Sequence, residues 1–354
     1  MTNIFQYRPI VKWWLVVGVI MIIGQIVIGG ITRLTGSGLS ITKWEIVTGT
    51  LPPLNAAQWQ EAFDLYKATP QYAKINEGMS MGDFKFIYFW EYFHRLWART
   101  MGFVFLIPFL IFWRKGWIDK PLMKRLGITV LLAAIVASFG WIMVASGLIE
   151  RPWVNAYKLT MHLSLALILY GYLLWTTFSV LSPKTNSFPH TMLKTGAKLL
   201  TLLTAIQLVL GGIMSGTKAG LYYPTWPDMG GEMIPRVLLT STMWNVENFV
   251  NYDATPFLPA LVQFSHRIVA YVLTISILYF VWKLLKHTKE LKIRRASAML
   301  VTMLIIQVLL GIFTVLACKG QIPVGLGVMH QAGAIGLLTA MLYVDFLLLN
   351  KKST

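Results

Sequence analysis

Eight apolar stretches divide this chain and constrain its fold more than any other feature. They are Val11–Ile31, Phe86–Trp113, Leu126–Leu148, Val154–Leu181, Leu199–Ser215, Leu258–Leu285, Ala296–Ala317 and Val324–Leu349. At about 1.5 Å of helix per residue, each is long enough to cross roughly 30 Å of hydrocarbon. Lipid leaves no partner for an exposed backbone, so runs of this kind fold as helices. With 56% hydrophobic and only 13% charged residues, the expected fold is an all-α polytopic membrane protein with eight transmembrane helices.

The charges between the stretches alternate. Loops after the second, fourth and sixth stretches, together with both termini, are basic, as at Arg114, Lys115, Lys120, Lys124 and Arg125, against only Asp119 and Glu290. Most other acids lie in the opposite loops, and Asp345 lies within the last stretch. The positive-inside rule then places both termini in the cytoplasm. It also accounts for the net charge of +17 without nucleic acid, for which no binding motif is present. No small-residue cleavage site follows the first stretch, so it reads as a span. The absence of a transit-like extension points to a bacterial plasma (inner) membrane. The lone cysteine, Cys318, rules out an internal disulfide and thiolate-held clusters, and reads as a small apolar filler.

An internal repeat organises the spans. Glu91-Tyr92-Phe93-His94-Arg95 returns as Gln263-Phe264-Ser265-His266-Arg267, and each is followed at near-equal spacing by a further intramembrane histidine, His162 or His330. Gln25-Ile-Val-Ile-Gly-Gly-Ile-Thr-Arg33 returns as Gln207-Leu-Val-Leu-Gly-Gly-Ile-Met-Ser215, and more weakly as Gln307-Val-Leu-Leu-Gly311. The chain is therefore expected to form two pseudo-symmetric four-helix bundles, residues 1–182 and 183–354. Their long outer loops span 32–85 and 216–257. Paired glycines admit a close backbone or flat ligand, or serve ordinary helix packing. In the first loop an amphipathic stretch, Ala56 to Lys67, suits the membrane surface. In the second, Tyr222-Tyr-Pro-Thr-Trp-Pro-Asp228 suits an ordered cap.

His190 and His287 fall in basic loops and read as solvated. The other four histidines lie in apolar helices near their outer ends, where ionisable residues are costly and usually functional. Two imidazoles facing across a bundle suit the axial positions of heme iron. Zinc would call for more donors than either pair offers, and a proton relay stays open. Arg95 and Arg267 suit heme propionates, or snorkel to lipid phosphates. Trp90, Tyr92, Phe93 and Trp97 suit a porphyrin wall or an interfacial belt. Glu91 lies nearly one turn before His94, on its solvent side, where a carboxylate reaches a porphyrin edge. Gln263 has the same shape but cannot take a proton. The first half then carries out chemistry and the second carries electrons, unless Glu91 merely pairs with Arg95 at the surface.

Gly29-Gly-Ile-Thr-Arg-Leu-Thr-Gly-Ser-Gly-Leu-Ser40, the Glu91 to Arg95 stretch and the doubled plan resemble the heme A synthase family over nearly the whole chain. The resemblance implies conversion of heme O to heme A, the porphyrin C8 methyl being oxidised through hydroxymethyl to formyl. It implies that His94 and His162 surround the substrate heme, that His266 and His330 ligate a permanent heme b, and that Glu91 is essential. It also implies a heme O synthase neighbour, an electron acceptor and delivery to a terminal oxidase. One branch carries two cysteines in the first outer loop. This chain has none there, so electrons leave by another route, and its long first outer loop resembles that of the mitochondrial and proteobacterial branch. A di-heme cytochrome b passing electrons from quinol to a partner is the alternative, and a heme transporter or chaperone a third reading. Membrane lipid surrounds the protein in any of them, and a homo-oligomer stays open.

Overall fold

The computed structural model describes residues 5–43, 51–147, 152–182 and 188–349. Among these residues there are twelve α-helices and no strand. Eight are long and apolar enough to cross a membrane: α1 (Pro9–Leu34), α4 (Met81–Arg114), α5 (Lys120–Gly147), α6 (Ala156–Leu181), α7 (Thr191–Gly216), α10 (Phe257–His287), α11 (Leu291–Leu316) and α12 (Val324–Leu349). The protein is a multi-pass membrane protein. Polar caps, which hydropathy does not register, set several helix starts. Ser80 and Asp83 close a capping box, so α4 begins five residues ahead of the apolar run. Asp119 Oδ1 accepts from Leu122 N at 3.0 Å at the head of α5, and Asn155 Oδ1 accepts from Tyr157 N at 2.9 Å at the head of α6.

The chain forms two compact units, Met1–Leu173 and Leu174–Thr354, the break falling within α6. In the first unit α1 packs along α4. Apolar surface alone does not drive helix pairing in lipid, so polar pins matter. The Trp14 indole donates to the Val104 carbonyl, the Trp97 indole to that of Met21 (both 2.9 Å), and Thr32 Oγ1 to that of Trp90 (3.1 Å). The outer loop contains α2 (Ala56–Lys67) and α3 (Pro70–Ile75), capped by Asn55 and Thr69. The apolar face of α2 does not lie along a membrane surface as its pattern suggests. Phe63 and Tyr66 are buried with Phe84 and Ile87 on the protruding first turns of α4, and the Phe63 ring stacks on Phe84 at 4.9 Å. At the opposite end the Tyr7 hydroxyl donates to Asp119 at 2.8 Å, and the Arg8 guanidinium lies 4.3 Å over Trp117.

In the second unit α7, α10, α11 and α12 share one apolar core around Leu200, Ile277, Leu300 and Met341. The inner turns of α6 join it through Trp175 and Phe178, which meet Phe346. Asp345 is buried in this region, and the Thr201 hydroxyl donates to its Oδ2 at 2.5 Å. The second outer loop is ordered as expected. It contains α8 (Arg236–Leu239) and α9 (Val246–Val250), with Trp244 and Phe249 edge-on to the buried Phe257. His190 and His287 are exposed as read from sequence, yet they face each other with ring centroids 4.6 Å apart. Cys318 is a free, buried thiol packed over Gly220.

Candidate functional site

Each of the four intramembrane histidines rests on a glycine of the preceding span. In the second unit His266 of α10 lies over Gly211 of α7, where a β-carbon would stand 3.3 Å from the ring Cε1. His330 of α12 lies over Gly311 of α11, with the same gap at 3.0 Å. The two rings face each other with centroids 6.4 Å apart and planes at 77°. Two metal–nitrogen bonds of about 2 Å plus the ring half-widths require roughly 6 Å between centroids, so one metal ion fits between these rings.

The first unit repeats the seating on glycine. His94 of α4 lies over Gly29 of α1 at 2.9 Å, and His162 of α6 over Gly140 of α5 at 3.0 Å. His162 and His330 occupy the same place, the second turn of their helices. The paired glycines read from sequence thus take imidazoles. Gly140 has no glycine neighbour and escaped notice; its signal was the fixed offset of one turn, Gln25 to Gly29, Gln207 to Gly211, Gln307 to Gly311, and Val136 to Gly140.

Polar groups finish the pairs. Gln25 Nε2 donates to the His94 carbonyl at 3.2 Å and lies 3.2 and 3.3 Å from the ring nitrogens. Gln207 Nε2 donates to the His266 carbonyl at 3.0 Å and lies 3.2 Å from ring Nε2. His162 Nδ1 lies 3.1 Å from the Val136 carbonyl, the partner a metal-ligating ring normally has on its other nitrogen. The backbones of Gln207 and Gln307 face the His266 and His330 rings, short of hydrogen-bond geometry at Nδ1.

The residues flanking the first histidine of each unit bind loops. Glu91 is not on a solvent face: it is 3% exposed. Its Oε2 accepts from Ser40 Oγ and Ile41 N, both at 2.8 Å, while Oε1 pairs with Arg95 at 2.5 Å. The ion pair with Arg95 therefore forms, but it is enclosed, and it was burial that sequence could not supply. Arg95 also reaches the Ile41 carbonyl at 3.4 Å. In the second unit Gln263 Nε2 donates to the Tyr223 carbonyl at 2.9 Å. Arg267 donates to four carbonyls, those of Pro227 and Asp228 through Nη1 and those of Tyr223 and Thr225 through Nη2. The carboxylate accepts a loop N–H where the amide donates to a loop carbonyl, which matches their chemistry.

Among the described residues no cluster of three or more His, Cys, Asp or Glu converges. A metal held by either pair must bring its remaining ligands, as the iron of a tetrapyrrole does.

The sequence profile of a family described as COX15-CtaA, cytochrome oxidase assembly protein, matches residues 12–342. A heme A synthase of Nitrosospira multiformis is 40% identical over 344 residues, 96% of this chain and 94% of its own. That of Bradyrhizobium diazoefficiens is 39% identical over 94% of this chain and 89% of its own, and that of Flavobacterium johnsoniae 38% over 93% and 95%.

Proposed function

This chain belongs to the family of cytochrome oxidase assembly proteins, and on that premise we propose that it is a heme A synthase, converting heme O to heme A for cytochrome oxidase. The observation that carries the reading is the pair of imidazoles in each unit, seated on glycines, with His266 and His330 spaced for one iron. Heme O is the substrate, and its C8 methyl group is oxidised through a hydroxymethyl to a formyl group.

In this reading the first bundle, residues 1–182, takes heme O between His94 and His162, and the second, residues 183–354, holds heme b between His266 and His330. A heme held by the second pair would supply a one-electron carrier. The chain's own residues do the rest. The glycines let each ring lie flat against its neighbouring helix, and Gln25 and Gln207 hold the first ring of each pair. Glu91 is the catalytic carboxylate, fixed by Ser40, Ile41 and Arg95 before substrate arrives, and it takes up the proton released when the methyl carbon is oxidised. Arg95 and Arg267 remain the propionate candidates. At Arg267 that contact falls to Nε–H, the Nη groups being bound to loop carbonyls.

The protein resides in a bacterial plasma membrane with both termini cytoplasmic. The basic loops support this, as do Lys115 over Trp117 and Lys286 over Trp282, pairings suited to an interfacial boundary. A heme O synthase and an electron acceptor are the partners that chemistry requires.

Purified protein from cells that make heme O decides the matter. Extracted pigment containing heme A or its hydroxymethyl precursor, with heme b, is the expected result. Heme b alone, with no conversion of added heme O, would assign the chain to electron transfer instead.

A further inference from the structure

The hold on the first histidine of each unit differs in kind from the hold on the second. We infer that Gln25 and Gln207 are positioning residues, each fixing the rotation of its imidazole, His94 or His266, before a heme arrives. His162 meets the main chain instead, at the Val136 carbonyl, and His330 Nδ1 is buried without a hydrogen-bond partner. The inference rests on the reading above that a heme sits between each pair.

A neutral imidazole on an apolar helix offers one donor and one acceptor and turns about two side-chain bonds. Gln25 stops that turn from two points, since its amide nitrogen meets both the His94 ring and the His94 carbonyl. Gln207 does the same at His266. Glutamine and glycine are one turn apart on one helix face, so both meet the ring from the same neighbouring helix. Where α5 has Val136 in place of the glutamine, no amide is present and the His162 ring meets a carbonyl. The Oε1 atoms of Gln25, Gln207 and Gln307 are all buried without a partner, but among the described residues only the Gln25 and Gln207 amide nitrogens meet a histidine, the Gln307 side chain lying over Gly333. The amide hold therefore marks the first histidine of both units, although Glu91 and Gln263 nearby have diverged. A ring held this way has its orientation set in advance, and the orientation of a ligating ring bears on the potential of a bound iron.

The test uses the full chain purified with its resident heme, comparing Gln207→Leu and Gln307→Leu with the parent. Heme content, the electron paramagnetic resonance signature of the oxidised heme and its midpoint potential are recorded. Gln207→Leu is expected to keep its heme while both signature and potential move; Gln307→Leu is expected to leave both at the parent values. An unmoved Gln207→Leu, or a Gln307→Leu that moves as far, overturns the inference, the second outcome reducing the effect to general packing. A parent chain that binds no heme sinks the underlying reading and the inference together. In the first unit, Gln25→Leu loaded with heme O should alter the substrate-heme signature alone. A change confined to the resident heme would contradict the assignment.

Discussion

Gly140 of α5 and His162 of α6 meet so closely that a β-carbon on the glycine would stand 3.0 Å from the imidazole Cε1, and the contact recurs at all four histidines. The gaps order the expected damage. Gly29→Ala, at 2.9 Å, should disturb its histidine most, and Gly211→Ala, at 3.3 Å, least. Overpacking of this kind costs about 1–3 kcal/mol. Heme retention by the four alanine variants, measured from absorbance per protein, should follow that order, and a Gly211→Ala variant emptied before Gly29→Ala would refute it.

Glu91→Gln should leave heme bound and stop heme A formation. It also leaves the Arg95 cation enclosed without its carboxylate, and breaking a buried pair costs about 3–5 kcal/mol. A lower melting temperature in detergent is therefore expected, with part of the loss restored in the Glu91→Gln, Arg95→Gln double variant. Normal heme A yield from Glu91→Gln would remove Glu91 from the mechanism.

Arg267→Ala should loosen the loop from Tyr223 to Asp228, seen as faster amide hydrogen exchange there. Arg267→Lys should not restore it, because an ammonium donates from one point and cannot span four carbonyls. Exchange in Arg267→Lys equal to the parent would show that charge, not the planar fork, holds the loop.

The same loop has an acid-sensitive turn. The Gly231 N–H first, and then the Thr225 hydroxyl, hold the Asp228 carboxyl below the ordinary carboxylate range. A depressed carboxylate stabilises the fold fully above its unfolded value of about 4 and loses that contribution as pH falls through the lowered one. Loop exchange should thus rise on acidification below that value, and Asp228→Asn should flatten the dependence.

Phe84→Ala should free α2 and α3 from α4, since the Phe63 and Tyr66 rings both stack on Phe84. A loss of about 3–5 kcal/mol is expected for a buried phenylalanine. Limited proteolysis between Leu51 and Ile75 should accelerate while the heme proposed at His266 and His330 is kept.

Much of this molecule was legible in its sequence, and for physical reasons. The span count follows from hydropathy, because lipid admits little else, and the histidine pairs follow from the cost of imidazole in hydrocarbon. The helix starts were less legible, because Ser80, Asp119 and Asn155 act through hydrogen bonds that apolarity does not reveal. The face of α2 was misjudged because an amphipathic pattern says that a side is buried and not what buries it. Gly140 was missed because a lone glycine in a span is common, and only its contact with His162 gives it meaning. Glu91 was placed correctly relative to His94 along the helix, but the loop enclosing it comes from another stretch of chain.

The two loop closures differ in what holds them. At Ser40 and Ile41 the seal is an anion whose charge Arg95 balances. Around Arg267 the direct acceptors are four neutral carbonyl oxygens, and the loop's acid, Asp228, is engaged in its own turn with Thr225 and Gly231. The first closure thus rests on an ion pair and the second on a planar fork over neutral acceptors, two fastenings of different chemistry at corresponding places in the repeat.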